Sequence, residues 1–390
     1  MENFNYYNGT RYVFGKDTEK EVGKYLKKYG ATKVLIHYGS HHAKASGLID
    51  NIINSIKLVD IQYVELGGVE PNPKDSLVYK GIELCKKEGV DFVLAVGGGS
   101  VIDSAKAIGL GVFYDGDFYD LFREQKEVYK CLPIGVVLTI AAAGSESSTN
   151  SVITFESKGL KRGFGSEVER PKFAILNPEL TYSLPNYQTS CGITDIMAHL
   201  LERYFSKSED CFVSQRMIEG VLQSIIYDSV PRLIKNPQDY GARSNIMWAG
   251  TLAHNNLLGC DRKQDWCSHK LEHELSAKYD IAHGAGLATV FPAWMLYMYK
   301  KDIDLFYSFG TRIMHIKEDT NKEAVVLAGI DKFKSFLRDT LKMPVSFKEL
   351  NAKKEDIPYF VKQLFVNQPV VGGFKQIDEK DATNIYNLML

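Results

Sequence analysis

The stretch Asp91-Phe-Val-Leu-Ala-Val-Gly97-Gly98-Gly99-Ser100-Val-Ile-Asp103-Ser-Ala-Lys106 runs an apolar segment straight into three glycines and then into a helical pattern. Strand, glycine turn and helix in that order are the unit of a buried parallel sheet with helical crossovers. Glycines let the backbone approach a phosphate, and the N–H groups and positive dipole end of the new helix can hold it. Gly98, Gly99 and Ser100 form the expected pyrophosphate clamp, with Gly97 and Asp103 beside them. A structural strand-to-helix turn needs glycine as well, and the run lacks the G-x-G-x-x-G spacing of the ordinary dinucleotide fingerprint. The surrounding sequence has to decide.

Outward from this turn, short apolar runs recur at Lys33–Tyr38, Gln62–Leu66, Ile134–Leu138 and Phe173–Leu176. Between two of them, Asp75 to Glu88 sets Leu77, Ile82 and Leu84 among charges at helical spacing, as a crossover helix would. After Pro185 strand-like runs become rare, and Ser214–Val230 and Ile246–Leu258 carry apolar residues at three- and four-residue spacing. The expectation is an α/β N-terminal domain with a Rossmann-like parallel sheet, residues 1–185, followed by an all-helical C-terminal domain, residues 186–390. The boundary is placed near Leu184-Pro-Asn186, where proline interrupts the pattern.

A chain of 390 residues favours two domains. Lys and Arg number 47 against 48 Asp and Glu, so no net field exists to hold nucleic acid or an anionic membrane. No apolar run approaches the ~18 residues of a spanning helix, and the N-terminus lacks a signal pattern, so a cytoplasmic location is expected. The six cysteines show no CxxC pair and read mostly as buried thiols rather than a disulfide or zinc-knuckle framework.

Four of the nine histidines fall into a pattern with carboxylates. Gly192-Ile-Thr-Asp195-Ile-Met-Ala-His199-Leu-Leu-Glu202 puts Asp195 and His199 four apart, on one helix face and able to share a metal ion. Ser268-His269-Lys-Leu-Glu-His273 lies in a second helical stretch, and Ile281-Ala-His283-Gly284 follows it. Spacing alone would choose His269 and His273 as the second ligand pair. Cys267, two residues before His269, points elsewhere on a helix and is assigned to packing.

Asp91–Ala107, the loop Gly68-Val-Glu-Pro-Asn72-Pro73, Gly192–Glu202 and Asp265-Trp266 to His283 together resemble, in the same order, the motifs of the iron-containing alcohol dehydrogenase family. The resemblance implies a dehydroquinate synthase-like architecture with one catalytic metal between the domains. It assigns the metal to Asp195, His199, His269 and His283, and directs His273 toward the nicotinamide and substrate. It places Asn72 in the adenosine-side loop, sets Thr139 and Gly144-Ser145-Glu146 beside the nucleotide, and brings Lys161 near its phosphates or ribose. Two departures stand out: Ile140-Ala-Ala-Ala143 replaces a usual threonine-rich turn, and Asn177 a usual aspartate. Three imidazoles and a carboxylate suit Fe(II) or Zn(II).

The implied reaction interconverts small primary alcohols and aldehydes, of butanol and butyraldehyde size, by hydride transfer with NAD(P)H. The turn after the second strand, Tyr38-Gly39-Ser40-His41-His42-Ala-Lys44, has no acidic residue to take the ribose hydroxyls and repel a 2′-phosphate. NADP(H) is therefore expected over NAD(H), with Gly39, Ser40 and His42 as contacts and Lys44 as a phosphate partner. The resemblance is to the NADPH-dependent butanol dehydrogenase and aldehyde reductase subgroup, and it implies a homodimer formed around Tyr6-Tyr7 and Arg11-Tyr-Val-Phe14. Two rivals share the scaffold: a metal-dependent lyase of the dehydroquinate synthase type, and a non-catalytic metal-binding protein. The apolar segment Trp248–Leu258 fits a small alcohol better than a polyanionic sugar.

Overall fold

The structure, a computed structural model, describes residues 1–39, 42–366 and 368–390, with His42 described by its backbone alone. The strands are β1 (Arg11–Phe14), β2 (Lys33–Gly39), β3 (Gln62–Val69), β4 (Phe92–Gly97), β5 (Ile134–Leu138), β6 (Asn150–Phe155), β7 (Leu160–Gly165) and β8 (Phe173–Leu176). Six of them form one sheet in the order β1-β8-β5-β4-β2-β3, and every neighbouring pair is parallel. The apolar runs of β2, β4, β5 and β8 are buried because helices cover both sheet faces. Leu35, Val93, Ala95 and Val136 pack on one face with helices α1 (Asp75–Glu88) and α2 (Gly99–Val112). Val34, Ile36, Phe92, Leu94 and Val96 fill the other, against Val22–Lys28 and Leu48–Lys57. The two sets alternate along each strand as a period of two requires.

The antiparallel hairpin of β6 and β7 is the part of this half that periodicity does not reveal. Its six-residue strands pair with each other rather than with the large sheet.

Two compact units divide the chain. One comprises Tyr7–Leu184 and Asn236–Asn255, the other Met1–Tyr6, Pro185–Lys235 and Asn256–Leu390. The chain crosses at Leu184–Pro185, beside the expected limit, but the expected division into 1–185 and 186–390 is interrupted twice. Helix α4 (Tyr240–His254), read from sequence as part of the helical half, belongs with the sheet, and residues 1–6 belong with the helices. Apolar contact draws α4 in. Trp248 lies edge-on to Tyr12 and Phe14, with centroids 5.6 and 6.3 Å apart, and Met247 is fully buried in the sheet core. Thr251 Oγ1 also donates to the buried Glu146 carboxylate at 2.7 Å.

The second unit has helices and no named strand among the described residues. Helices α3 (Asn186–Tyr204), α5 (Cys267–Tyr279) and α6 (His283–Met298) form its centre. A Cβ added at Gly284 would stand 2.1 Å from the Cys191 carbonyl oxygen, so only glycine allows α6 to start this close to α3. None of the described helices is long and apolar enough to cross a membrane.

On β2, His37 is fully buried between two partners: Nδ1 meets the Leu66 carbonyl at 2.8 Å and Nε2 the Ser104 hydroxyl at 2.9 Å. Burial pushes its pKa down to about 4, partly opposed by the Leu66 carbonyl. The fold holds the neutral ring, so this stabilisation is complete above the unfolded value near 6.5 and fades as pH falls toward 4. The loss expected from this group is about 3 kcal/mol. Urea unfolding of the parent and of His37→Gln at pH 7 and pH 4.5 measures it; an acid-induced loss of equal size in both proteins would refute it.

Candidate active site

Asp195 and His199 sit one turn apart on α3, His269 comes from the first turn of α5, and His283 opens α6. They converge on one oxygen. His199 Nδ1 lies 3.5 Å from Asp195 Oδ1, while His269 Nε2 and His283 Nε2 each lie 3.7 Å from it. Tetrahedral ligation with bonds of about 2.1 Å would set ligand atoms roughly 3.4 Å apart, so small adjustments bring these atoms onto one cation. Asp195 Oδ1 and His269 Nε2 are buried without a hydrogen-bond partner, an expensive state that a cation would relieve. The His269 ring shows the pocket's appetite for positive charge. Burial lowers its pKa, but Asp195 and Glu202 outweigh that and raise it to about 9. The donor set therefore fits a divalent ion.

The grouping has one asymmetry. Asp195, His199 and His269 offer atoms all within 4.8 Å of one another, whereas His283 falls instead in a second such group with Glu272 and His273. His273, the ligand that spacing alone would choose, is thus in the neighbouring group, its ring centroid 5.6 Å from that of His283.

Two carboxylates orient the imidazoles from behind. Glu202 Oε1 accepts from both the backbone N–H and Nδ1 of His269, at 3.0 Å each, and Glu272 is bonded to His283 Nδ1 and to the Ser276 hydroxyl. Both are completely buried. A carboxylate at Nδ1 fixes the tautomer and turns Nε2 toward the metal. Sequence reasoning gave neither a role, although the signal was local: Glu202 follows His199 by three residues, and Glu272 follows His269 by three. Glu202→Gln and Glu272→Gln are each expected to weaken metal binding by about tenfold to a hundredfold. Competition with a chromophoric chelator reads this out, and unchanged affinity in both variants would refute the role.

In the sheet unit, α2 starts at Gly99 with Gly98 as its cap, so no side chain caps the first turn, and that turn holds no acidic residue. Its N-terminal dipole end is suited to an anion. Packing demands the glycines too. A Cβ at Gly97 would meet Val101 at 2.4 Å, one at Gly98 would meet Ile140 at 3.1 Å, and one at Gly99 would meet Ala143 at 3.0 Å. The unusual Ile140–Ala143 segment therefore lies directly against the turn, tied by Thr139 N–H to the Gly97 carbonyl at 3.0 Å.

Lys161 on β7 donates to Asn72 Oδ1 at 2.9 Å, so two residues expected at the nucleotide meet, both buried. Both carboxylate oxygens of Asp103 are engaged within the protein, by the Ser145 hydroxyl at 2.5 Å and the Val152 N–H at 3.0 Å. The neighbouring Lys106 ammonium is fully buried and donates to Ser145, Ser148 and Asn150. Gly39 closes β2, Ser40 lies outside the described residues, as does the His42 side chain, and Lys44 Nζ lies 3.4 Å from Glu65. Asn177 caps a short helical turn and donates to Glu19 at 2.8 Å, a structural use of that position. Cys267 is fully buried, as packing requires.

A parallel α/β unit with a glycine turn at a helix start, and a helical unit with a His₃Asp cluster, define the class of metal-dependent nucleotide-binding enzymes. Family models agree across nearly the whole chain: iron-containing alcohol dehydrogenase matches residues 9–178, and the family's C-terminal model matches residues 189–390. The chain belongs to the iron-containing alcohol dehydrogenase family. It is 38% identical to NADH-dependent butanol dehydrogenase A of Clostridium acetobutylicum, over 99% of each chain. It is 35% identical to the NADPH-dependent aldehyde reductase YqhD of Escherichia coli, over 93% of each. The crystal structure of NADH-dependent butanol dehydrogenase A from Thermotoga maritima superposes with a TM-score of 0.96 at 39% identity, covering 100% of this chain and 99% of that one.

Proposed function

We propose that this protein interconverts small primary alcohols and aldehydes, of butanol and butyraldehyde size, by hydride transfer with NAD(P)H and one divalent metal, Fe(II) or Zn(II). The observation that carries the reading is the convergence of three imidazole nitrogens, 3.5 to 3.7 Å from the orphaned Oδ1 of Asp195. When bound, the cation supplies Lewis acidity toward an alcohol or aldehyde oxygen, and the nicotinamide gives or takes the hydride. Asp195 contributes the only formal charge of the donor set, so residual positive charge remains to favour the oxygen as it becomes negative. Glu202 and Glu272 hold the rings of His269 and His283 to that task. His273, one turn beyond His269, moves a proton at a ring nitrogen or orients the substrate. Gly98, Gly99 and Ser100 receive the pyrophosphate at the start of α2.

The finer reading is NADP(H) in preference to NAD(H). It is supported by the absence of an acidic residue from Gly39 to Lys44. Relatives of similar identity carry both NADH- and NADPH-dependent names, so the cofactor ratio is a direct test of this chain. The same proposal takes the enzyme to act in the cytoplasm as a homodimer, with the outer edge of β1, the terminal strand of its sheet, as the meeting place. Light scattering of the eluted protein tests the dimer.

The experiment that tests the function is oxidation of NADPH with butyraldehyde by metal-free protein, before and after Fe(II) or Zn(II) is added. Turnover that appears with metal supports it. Absence of turnover with any small aldehyde, despite bound metal and cofactor, would refute it.

A further inference from the structure

We infer that Trp266 is a positioning residue for the metal centre: its indole is a wedge that holds the rings of His199 and His269, which come from two different helices, in ligating orientation. The inference rests on the metal-dependent reading above. Trp266 caps α5 at φ 61 and ψ 13, in the left-handed region. There the β-carbon of an L-residue crowds the following carbonyl, and a bulky residue is a rare occupant. Such backbone strain persists only where the surroundings over-determine it.

Asp265 supplies that constraint. Its N–H donates to the Glu202 carbonyl at 2.9 Å. Its Oδ1 accepts from the N–H groups of Gly373 and Phe374 at 2.9 and 2.8 Å, and its Oδ2 accepts from that of Cys267 at 3.3 Å. The chain therefore enters and leaves Trp266 in set directions, and those directions aim the indole at the ligands. Its ring centroid lies 5.1 Å from that of His269 and 5.7 Å from that of His199, at interplanar angles of 69° and 65°. These are edge-to-face contacts, which favour one ring orientation over others. The indole N–H donates to Gln264 Oε1 at 3.1 Å, which fixes the wedge in its own plane. Behind it, the Arg203 guanidinium sits 4.8 Å from the ring and donates to the His199 carbonyl at 2.8 Å.

Capping a helix requires none of this, since glycine adopts the same φ without strain and without a side chain. A wedge and a mere cap therefore predict different results for Trp266→Gly. The test uses the full chain loaded with Zn(II), and follows metal release into excess 4-(2-pyridylazo)resorcinol. Trp266→Gly is expected to release zinc about tenfold faster than the parent, and Trp266→Phe, which keeps a ring, within about threefold of it. The metal-free Trp266→Gly protein is expected to melt close to the metal-free parent, because relieved strain offsets lost contact. Release from Trp266→Gly within about twofold of the parent would overturn the inference, as would faster release accompanied by an equivalent loss of metal-free stability. Should Trp266→Gly fail to fold, Trp266→Leu keeps bulk and loses the ring; release no faster than from Trp266→Phe then overturns it. A parent that takes up neither Zn(II) nor Fe(II) refutes the metal-dependent reading instead.

Discussion

Asp195→Ala and His269→Ala are each expected to lose bound metal and activity together, with kcat/KM falling on the order of a thousandfold or more. Each change deletes a donor from a set that offers one carboxylate oxygen and three imidazole nitrogens, and leaves the remaining donors an incomplete shell. Asp195 matters most electrostatically, because all three imidazoles lie around its Oδ1. His273→Ala is expected to behave differently. Its ring stands beside His283 rather than among the atoms grouped around Asp195, so metal is retained while turnover falls by roughly a hundredfold to ten-thousandfold. Metal analysis of each purified variant, beside butyraldehyde kinetics, separates the cases. Metal lost from His273→Ala and kept in His269→Ala would reverse the assignment.

Ser40→Asp is expected to move cofactor preference toward NADH by roughly tenfold to a hundredfold in the ratio of kcat/KM values. Ser40 follows Gly39, the last residue of β2, and on the NADP(H) reading a carboxylate at this turn would take the ribose hydroxyls of NADH and repel the 2′-phosphate of NADPH. The parent is expected to favour NADPH. Lys44 is the cation nearest in sequence; it pairs with Glu65 at 3.4 Å while remaining largely exposed, so that exchange to a phosphate costs little. Kinetics with both cofactors in parent and variant decide the matter. A parent that already uses NADH better than NADPH would show that a missing acidic residue does not set the preference.

Much of the sheet was legible because its determinants are local. Buried parallel strands must be continuous apolar runs, and Lys33–Tyr38, Ile134–Leu138 and Phe173–Leu176 announce themselves; the run from Asp91 differs from β4 by one residue at each end. The helix from Asp75 to Glu88 was legible for the same reason, through its charge and apolar spacing. The pairing of Asp195 with His199 needed only the pitch of one helix.

The remainder depended on how elements meet. His269 and His273 are four apart on one face of α5, so spacing treats them alike, and the resemblance to a family, not periodicity, separated them. What distinguishes them physically is the packing of α3, α5 and α6. The close approach of Gly284 to Cys191 brings His283 to Asp195, and Glu202 reaches from α3 to grip His269 alone. Helix α4 reads like its helical neighbours in sequence, yet Trp248 and Met247 find their apolar partners on the sheet unit. The sequence by itself determined most of the strands and helices, the β6–β7 hairpin excepted, and which residues can ligate, since those follow from neighbours along the chain. Tertiary structure alone decided which candidates share one centre, because that choice depends on contacts between residues far apart in the chain, which no local spacing encodes.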